Sequence, residues 1–356
     1  MGMKTVFFIL PNLHQGGAEK IVTTICNELD RKQFRSVLLL FQKEGPFLKD
    51  LKSDVEIIEL KTKRIRFAIF PILQEIYKRK PSIVFSGWGE ISAFLSYFIP
   101  LFPKVKFVSR ETNVVSKHVV RKEILFFYKF YHRFDAIIAQ SEDMRQDLIE
   151  NFQLDKEKIV KIHNPVDFEL LDQKQNQPIE LPFSSDHKNV IAIGNLTARK
   201  GFDLLLNVFA ELKNTPIHLY VLGDGVDKEK LEHQRQALGL ENVHFLGHVE
   251  NPYPYLAAAD LFILSSRYEG FPNVLLEAGA CGTYALCNDC LGGINEIIQP
   301  KRNGEILAIE NTKAFAERIV HILEDKHDAS SIRDSIKSRF DKKFIIHQYE
   351  EILNKL

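Results

Sequence analysis

Apolar residues along this chain fall into short runs separated by amphipathic stretches, and that alternation carries most of what its 356 residues say about fold. In the first half the runs are Thr5–Leu10, Ser36–Phe41, Val55–Leu60, Ile83–Ser86, Val105–Ser109 and Ala136–Ala139. Between the first two, Ala18, Ile21, Val22, Ile25 and Leu29 recur at helical spacing. Unbroken apolar runs suit strands buried on both faces, and the amphipathic stretches suit helices that cover them. The pattern therefore predicts a parallel sheet with helices on both sides. It breaks at Ile162-His163-Asn164-Pro165-Val166-Asp167, and the polar stretch Asp172–Asn189, with Pro178 and Pro182, predicts a linker. It restarts at Val190–Gly194, Ile217–Gly223, Val243–Leu246, Leu261–Ser265 and Tyr284–Asn288. The expected fold class is α/β: two Rossmann-like doubly wound domains, 1–166 and 167–340, facing a central cleft at the carboxyl ends of their strands. The last segment, 341–356, is expected as a C-terminal helix that packs on either domain, the N-terminal one included.

Composition adds little until charge is divided along the chain. Apolar residues at 45% and charged residues at 26% exclude a disordered or low-complexity chain. Lys+Arg and Asp+Glu both number 47, so no nucleic-acid partner is expected from the whole molecule. Up to Val166, however, there are 27 basic and 19 acidic residues, which leaves 20 and 28 beyond it. Opposite halves suggest domains with different partners. Four cysteines are too few for a disulfide framework, so Cys287 and Cys290 read as free thiols in a reducing compartment. Thr5–Leu10 has no cleavage site after it, and Ile91–Pro103 falls short of the ~20 apolar residues a spanning helix needs. Neither a signal peptide nor a membrane span is expected.

Three glycine-bearing loops each follow a predicted strand and open a helix. In the first, Gly16-Gly17-Ala18-Glu19, glycines let backbone approach a ligand and helix amides attract an anion. It lacks the G-x-G-x-x-G spacing of a dinucleotide loop, and a plain tight turn stays open as the alternative. The second runs from Gly194 and Asn195 to Arg199, Lys200 and Gly201, where two adjacent cations suit a diphosphate or are simply a solvated pair on a surface turn. The third is Glu269-Gly270-Phe271-Pro272-Asn273-Val274-Leu275-Leu276-Glu277. Pro272 suits a first helical turn, so the amides of Asn273, Val274 and Leu275 are expected to face an anion. Glu269 then lies ahead of the helix and Glu277 about a turn inside it, better placed to accept hydrogen bonds from a diol than to flank a scissile bond.

Together these elements resemble the retaining glycosyltransferases of family 4, which have the GT-B fold. The resemblance covers most of the chain and takes in Asn164-Pro165-Val166-Asp167, Leu222-Gly223-Asp224-Gly225, Phe245-Leu246-Gly247, Ala259-Asp260 and Gly292-Gly293-x-x-Glu296. It implies that Glu277 holds the ribose of a nucleotide sugar and Lys200 its diphosphate. Glu269 and the amides of Gly270 to Leu275 would touch the sugar and phosphates, with Glu269 and Lys200 the catalytic pair. Gly16, Gly17, Asn195 and Arg199 would join the donor side, and the backbone up to Val249 would line the base. Two departures stand out: Asn195 where the family commonly has Arg, and Thr112 where many relatives have His. Glu111, Thr112 and Asn113 are the acceptor-side candidates. No D-x-D occurs, so neither a metal nor a cofactor is expected, and cations with helix amides would stabilise the leaving diphosphate.

In the basic half, Lys61-Thr62-Lys63-Arg64-Ile65-Arg66-Phe67 leads into a helical pattern ending at Lys78-Arg79-Lys80. Lys117–Arg133 interleaves Arg121, Lys122, Lys129 and Arg133 with Phe126, Phe127, Tyr128, Phe130 and Tyr131. Such stretches suit anionic lipid headgroups, or are a core with a solvated rim. The expectation is a cytoplasmic enzyme, peripheral on the inner face of the plasma membrane. It would move a hexose or N-acetylhexosamine from a UDP-sugar to a lipid-linked saccharide in polysaccharide biosynthesis. A non-hydrolysing UDP-sugar epimerase and a non-catalytic sugar-nucleotide-binding subunit are the rivals.

Overall fold

The computed structural model describes residues 2–14 and 16–356. The chain forms two compact units, one reaching Pro165 and taking back Lys343–Leu356, the other spanning Val166–Lys342.

In the first unit the strands are β1 (Lys4–Leu10), β2 (Phe34–Leu40), β3 (Glu56–Glu59), β4 (Ile83–Ser86), β5 (Lys106–Arg110), β6 (Ala136–Ala139) and β7 (Ile159–Lys161). All pairings are parallel, in the order β3-β2-β1-β4-β5-β6-β7. Val6 to Leu10 are buried without a gap, as a strand with helices on both faces requires. The chain winds outward from β1 through β2 and β3, then returns to place β4 on β1's other side, with Val6 opposite Ile83. Loops leaving β1 and β4 therefore diverge and open a crevice at that switch point. The C-terminal helix, Lys342–Lys355, adds Ile345, Tyr349 and Leu353 to this unit's core. Lys4 Nζ donates to the carbonyls of Leu353 and Asn354, both at 2.9 Å, and so satisfies two groups that a helix end leaves open.

The second unit repeats the topology with β8 (Lys188–Ile193), β9 (Ile217–Leu222), β10 (Val243–Gly247), β11 (Leu261–Leu264), β12 (Ala285–Asn288) and β13 (Gly304–Leu307). Its order is β10-β9-β8-β11-β12-β13, so its switch point lies between β8 and β11.

Three features differ from the sequence reading. Only the first four residues of the expected linker, Asp172–Asn189, are helical, as the end of a helix over Phe168–Gln175: Asp167 Oδ1 caps it by accepting the Leu170 N–H at 3.1 Å, and Phe168 and Leu171 are buried. Three apolar residues in eight, Phe168, Leu170 and Leu171, give too weak a period to see. Val166 belongs to the second unit, because its N–H donates to Phe340 O (2.8 Å) and its carbonyl accepts from Lys342 N (3.0 Å). The edge strands β7 and β13 carry Lys161 and Glu305 and no apolar run, as partly solvated edges permit. All four cysteines are free thiols. Among the described residues no helix is long and apolar enough to cross a membrane.

Candidate active site

The loops after β8 and β11 flank the second switch point and bring the sequence-predicted cations onto one carboxylate. After β8, residues Ala198–Lys200 make a single tight turn ended by Gly201 at φ +65°. A Cβ on Gly201 would stand 2.0 Å from the Ser265 carbonyl, so only glycine lets this turn press on the end of β11. Ser265 Oγ donates to Lys200 O at 2.8 Å and fixes the contact. From there Lys200 Nζ reaches Glu269 Oε1 at 2.6 Å, and Arg199 Nη1 reaches Oε2 at 2.7 Å.

Glu269 is buried, and Ser266 Oγ adds a third donor at 2.6 Å. Burial works to raise its pKa, but the charges of Lys200 and Arg199, with hydrogen bonds from Lys200 and Ser266, bring it down to about 2. Glu269 is therefore an ionised acceptor at neutral pH and not a proton donor. Two cations facing one carboxylate leave a local excess of one positive charge, directed at the switch point. The backbone around it is held as firmly. Glu269 N–H donates to Leu291 O (2.8 Å) and Gly293 N–H to Gly270 O (2.9 Å). Gly292, at φ +130°, packs against the Glu269 carbonyl, where a Cβ would stand at 2.7 Å.

Two supporting residues were not singled out in the sequence. Arg267 grips Asp203 with two bonds of 2.8 and 2.7 Å and also donates to the Ala198 carbonyl; its own N–H donates to Arg199 O at 2.8 Å. This pair ties the loop after β11 to the turn that carries both cations. The only sequence signal was an Arg between Ser266 and Tyr268 beside Glu269, which spacing alone does not distinguish from a surface charge.

The helix opened by the third loop spans Asn273–Ala280, with Pro272 as its N-cap. Asn273 and Val274 occupy its first two positions. One expectation needs correction. Leu275 N–H donates to Pro272 O at 3.1 Å, so it is committed within the turn and does not face an anion. The Phe271 ring is buried against Phe340, at 5.7 Å between centroids, so Phe271 can offer a ligand its backbone but not its ring. Glu277 is half-buried at the fifth helical position and accepts from Tyr253 Oη at 3.4 Å. Val249 is half-buried beyond β10, and Asn195 is exposed at the start of its loop.

The remaining candidates belong to the first unit. Gly16 caps the helix Gly17–Glu28, and the Glu19 carboxylate folds back over it, with burial pushing its pKa up. Glu111, Thr112 and Asn113 follow β5. Glu111 is buried and accepts from Tyr131 Oη (2.6 Å), Tyr128 Oη (3.2 Å) and Ser109 Oγ (3.2 Å). Tyr128 and Tyr131 are thus interior residues stacked at 4.2 Å, not part of a lipid-facing stripe; of the interleaved aromatics only Phe126 is more than half exposed. On the other basic stretch the helix Ile65–Arg79 exposes Phe67, Phe70 and Tyr77 at 59%, 72% and 75%. Among the described residues no group of three or more His, Cys, Asp or Glu could hold a metal ion.

Comparison with known proteins bears on this arrangement as a whole. The model of Glycosyltransferase Family 4 matches residues 15–170 and that of Glycosyl transferases group 1 matches 173–339, so the two cover all three loops and every strand but β1. The chain belongs to glycosyltransferase family 4. Its paired Rossmann-like units are the GT-B fold of these enzymes. The Campylobacter jejuni N-acetylgalactosamine-N,N'-diacetylbacillosaminyl-diphospho-undecaprenol 4-alpha-N-acetylgalactosaminyltransferase is 26% identical to this glycosyltransferase over 96% of each chain. The Escherichia coli O-antigen biosynthesis glycosyltransferase WbnH is 28% identical, over 98% of this chain and 97% of its own length. Among solved structures, Anabaena Alr3699/HepE in complex with UDP-glucose superposes with a TM-score of 0.83 at 19% identity, covering 99% of this chain and 100% of that one, a likeness of fold.

Proposed function

We propose that this glycosyltransferase moves a hexose or N-acetylhexosamine from a UDP-sugar to a lipid-linked saccharide, with retention of anomeric configuration and without a metal ion, on the inner face of the plasma membrane. The observation that carries the reading is the Arg199–Lys200–Glu269 assembly, an excess cation held rigid beside the mouth of the helix Asn273–Ala280. A diphosphate entering there would meet both cations and the amides of Asn273 and Val274. Preorganised charge of this kind stabilises a leaving group most strongly, because nothing has to reorganise as negative charge develops. Glu277 accepts the ribose hydroxyls. The acceptor hydroxyl attacks the anomeric carbon on the face the diphosphate leaves, the bond from that carbon to phosphate oxygen breaks, and the departing oxygen takes the acceptor proton. No side-chain base is then needed, which suits an ionised Glu269 pinned by two cations. The acceptor class is supported by the C. jejuni relative, whose name carries a diphospho-undecaprenol, and the donor by the UDP-glucose bound in HepE.

The test is turnover of a UDP-sugar panel with a lipid-linked saccharide, following UDP release and the anomeric configuration of the product by NMR. Stoichiometric UDP with retained configuration is expected, unchanged in excess EDTA. An epimerase would release no net UDP, and a binding subunit none at all. Loss of activity in EDTA, restored by Mg²⁺, would overturn metal independence.

A further inference from the structure

A cavity of about 250 Å³ lies wholly within the first unit, at the carboxyl ends of β4 and β5. Its walls are of three kinds. Trp88, the one tryptophan in the chain, lies half-buried after β4, just ahead of the helix Gly89–Phe98. Val115, Val119 and Ile124 supply an apolar side. The third wall is the buried Glu111 carboxyl, whose orientation is fixed by the hydroxyls of Tyr128, Tyr131 and Ser109.

Acid dominates the buried part of the cavity. Its carboxyls are Glu111, which is buried, and Glu90; Arg121, the one Lys or Arg in its lining, is already held by Glu90 at 2.7 Å, and the His118 imidazole lies exposed at the rim. An anionic group drawn inside would be desolvated next to the buried Glu111 with no lysine or unpaired arginine in the lining to meet it, which is a costly arrangement. An uncharged sugar meets none of that cost. Its C–H face suits an indole, its hydroxyls or amide suit a fixed carboxyl, and an acetamido methyl suits the valine wall.

We propose that this cavity is the subsite for the terminal, uncharged sugar residue of the acceptor, stacked on Trp88 and hydrogen-bonded by Glu111, and that it refuses anionic sugars. The inference rests on the transferase reading and deepens it: Glu111 selects and positions the acceptor without acting as its base. Burial pushes the Glu111 pKa up, and Asp147 adds to the rise against the three hydroxyls that donate to the carboxyl.

Because Trp88 is the sole tryptophan, its fluorescence reports on this cavity and on no other. The wild-type chain, without donor, is titrated with the methyl glycosides of N-acetylglucosamine, glucose and glucuronic acid. Saturable changes in emission are expected with the two neutral glycosides, and binding at least about tenfold weaker with the glucuronide. Glu111→Gln removes the buried acid, and Glu90→Gln, at the rim and safe for folding, releases Arg121; each is expected to narrow that gap. In turnover, Trp88→Leu raises the acceptor KM while donor affinity holds. Equal binding of charged and neutral glycosides, or no saturable change with any of them, overturns the proposal. If lipid-linked acceptor is glycosylated while Trp88 stays silent, the subsite fails and the transferase reading stands. If Trp88 responds but no donor releases UDP, the sugar site stands and the transferase reading fails.

Discussion

Lys200 donates to Glu269 across 2.6 Å, from a loop that follows β8 to one that follows β11, and these two parallel strands are neighbours only because the strand order reverses between them. The bond is therefore a direct product of topology. Lys200→Ala leaves Glu269 with Arg199 alone and cancels the excess positive charge. A charged hydrogen bond of this kind is worth about 1.5–3 kcal/mol, so kcat/KM for the UDP-sugar is expected to fall about tenfold or more. Steady-state UDP release measures it, and an unchanged rate removes Lys200 from the diphosphate site.

Acid stability follows from the same carboxylate. The folded-state pKa of Glu269, about 2, lies below its ordinary 4.5, so ionised Glu269 stabilises the second unit at every pH above 4.5. That contribution is lost as pH falls from 4.5 toward 2. Glu269→Gln abolishes it and leaves two cations without their partner, at a cost of about 3 kcal/mol near neutrality. Urea unfolding of both proteins at pH 7 and pH 3 is expected to show the wild-type advantage shrinking in acid. A constant advantage would mean that Glu269 is not held ionised by Lys200 and Arg199.

Each half of that pair was legible in the chain before any coordinates: the Arg199-Lys200-Gly201 turn and the Glu269-x7-Glu277 spacing. The family resemblance puts both at one site, but their ion pair does not follow from the pattern of residues, because strand order decides which loops adjoin and periodicity says nothing about order. The same limit hid Asp203 and Arg267, which are ordinary charges until the fold brings them together. Tyr128 and Tyr131 stay open in the sequence for another reason. Aromatics between lysines fit a wetted rim or a core equally well, and only the buried Glu111 across the loop, holding both hydroxyls, decides between them. The long central strands were readable because burial on both faces leaves an unbroken apolar run; β7 and β13, with one side open, leave none.

Arg267 touches no expected ligand and acts by holding the turn that carries Arg199 and Lys200. Arg267→Met is expected to lower kcat several-fold with a small change in donor affinity, since the cations remain but lose their alignment. Asp203→Asn should do the same, and the double variant should be no worse than either single one, the signature of one shared interaction. Additive losses would show that the pair is only a surface contact.

Glu277 sits one helical turn inside the mouth, with Tyr253 Oη at 3.4 Å. Glu277→Ala is expected to weaken donor binding by about 1.5–3 kcal/mol through the lost diol contacts. Tyr253→Phe, which removes only a long hydrogen bond, should cost far less. Calorimetric titration with UDP separates the two. Normal affinity in Glu277→Ala would place the ribose elsewhere.

The two basic stretches of the first unit predict different membrane behaviour now that their partners are known. Lys63, Arg64 and Arg66 are all exposed, and Arg66 lies 4.9 Å from the exposed Phe67 ring at the start of the helix Ile65–Arg79. At 100° per residue, Arg66, Phe67, Phe70 and Tyr77 share one face, so cations and aromatics point together. In the second stretch Arg121 is tied to Glu90, and Tyr128 and Tyr131 face inward, leaving Lys122 and Lys129 beside Phe126. Each basic residue near an anionic leaflet contributes about 1 kcal/mol. Neutralising Lys63, Arg64 and Arg66 to Gln should then cut partitioning to anionic vesicles about a hundredfold. The triple Gln variant of Arg121, Lys122 and Lys129 should lose less, because Arg121 is turned to Glu90 and Tyr128 and Tyr131 face inward, so this stretch presents less to the leaflet in the first place. Raising salt should mimic the first variant, since screening shortens from ~8 Å at physiological ionic strength to ~3 Å at 1 M. UDP affinity, set in the second unit, should not change in either variant. Co-sedimentation with anionic vesicles at low and high salt gives the comparison, and equal binding by all three proteins would mean that both stretches are solvated rims.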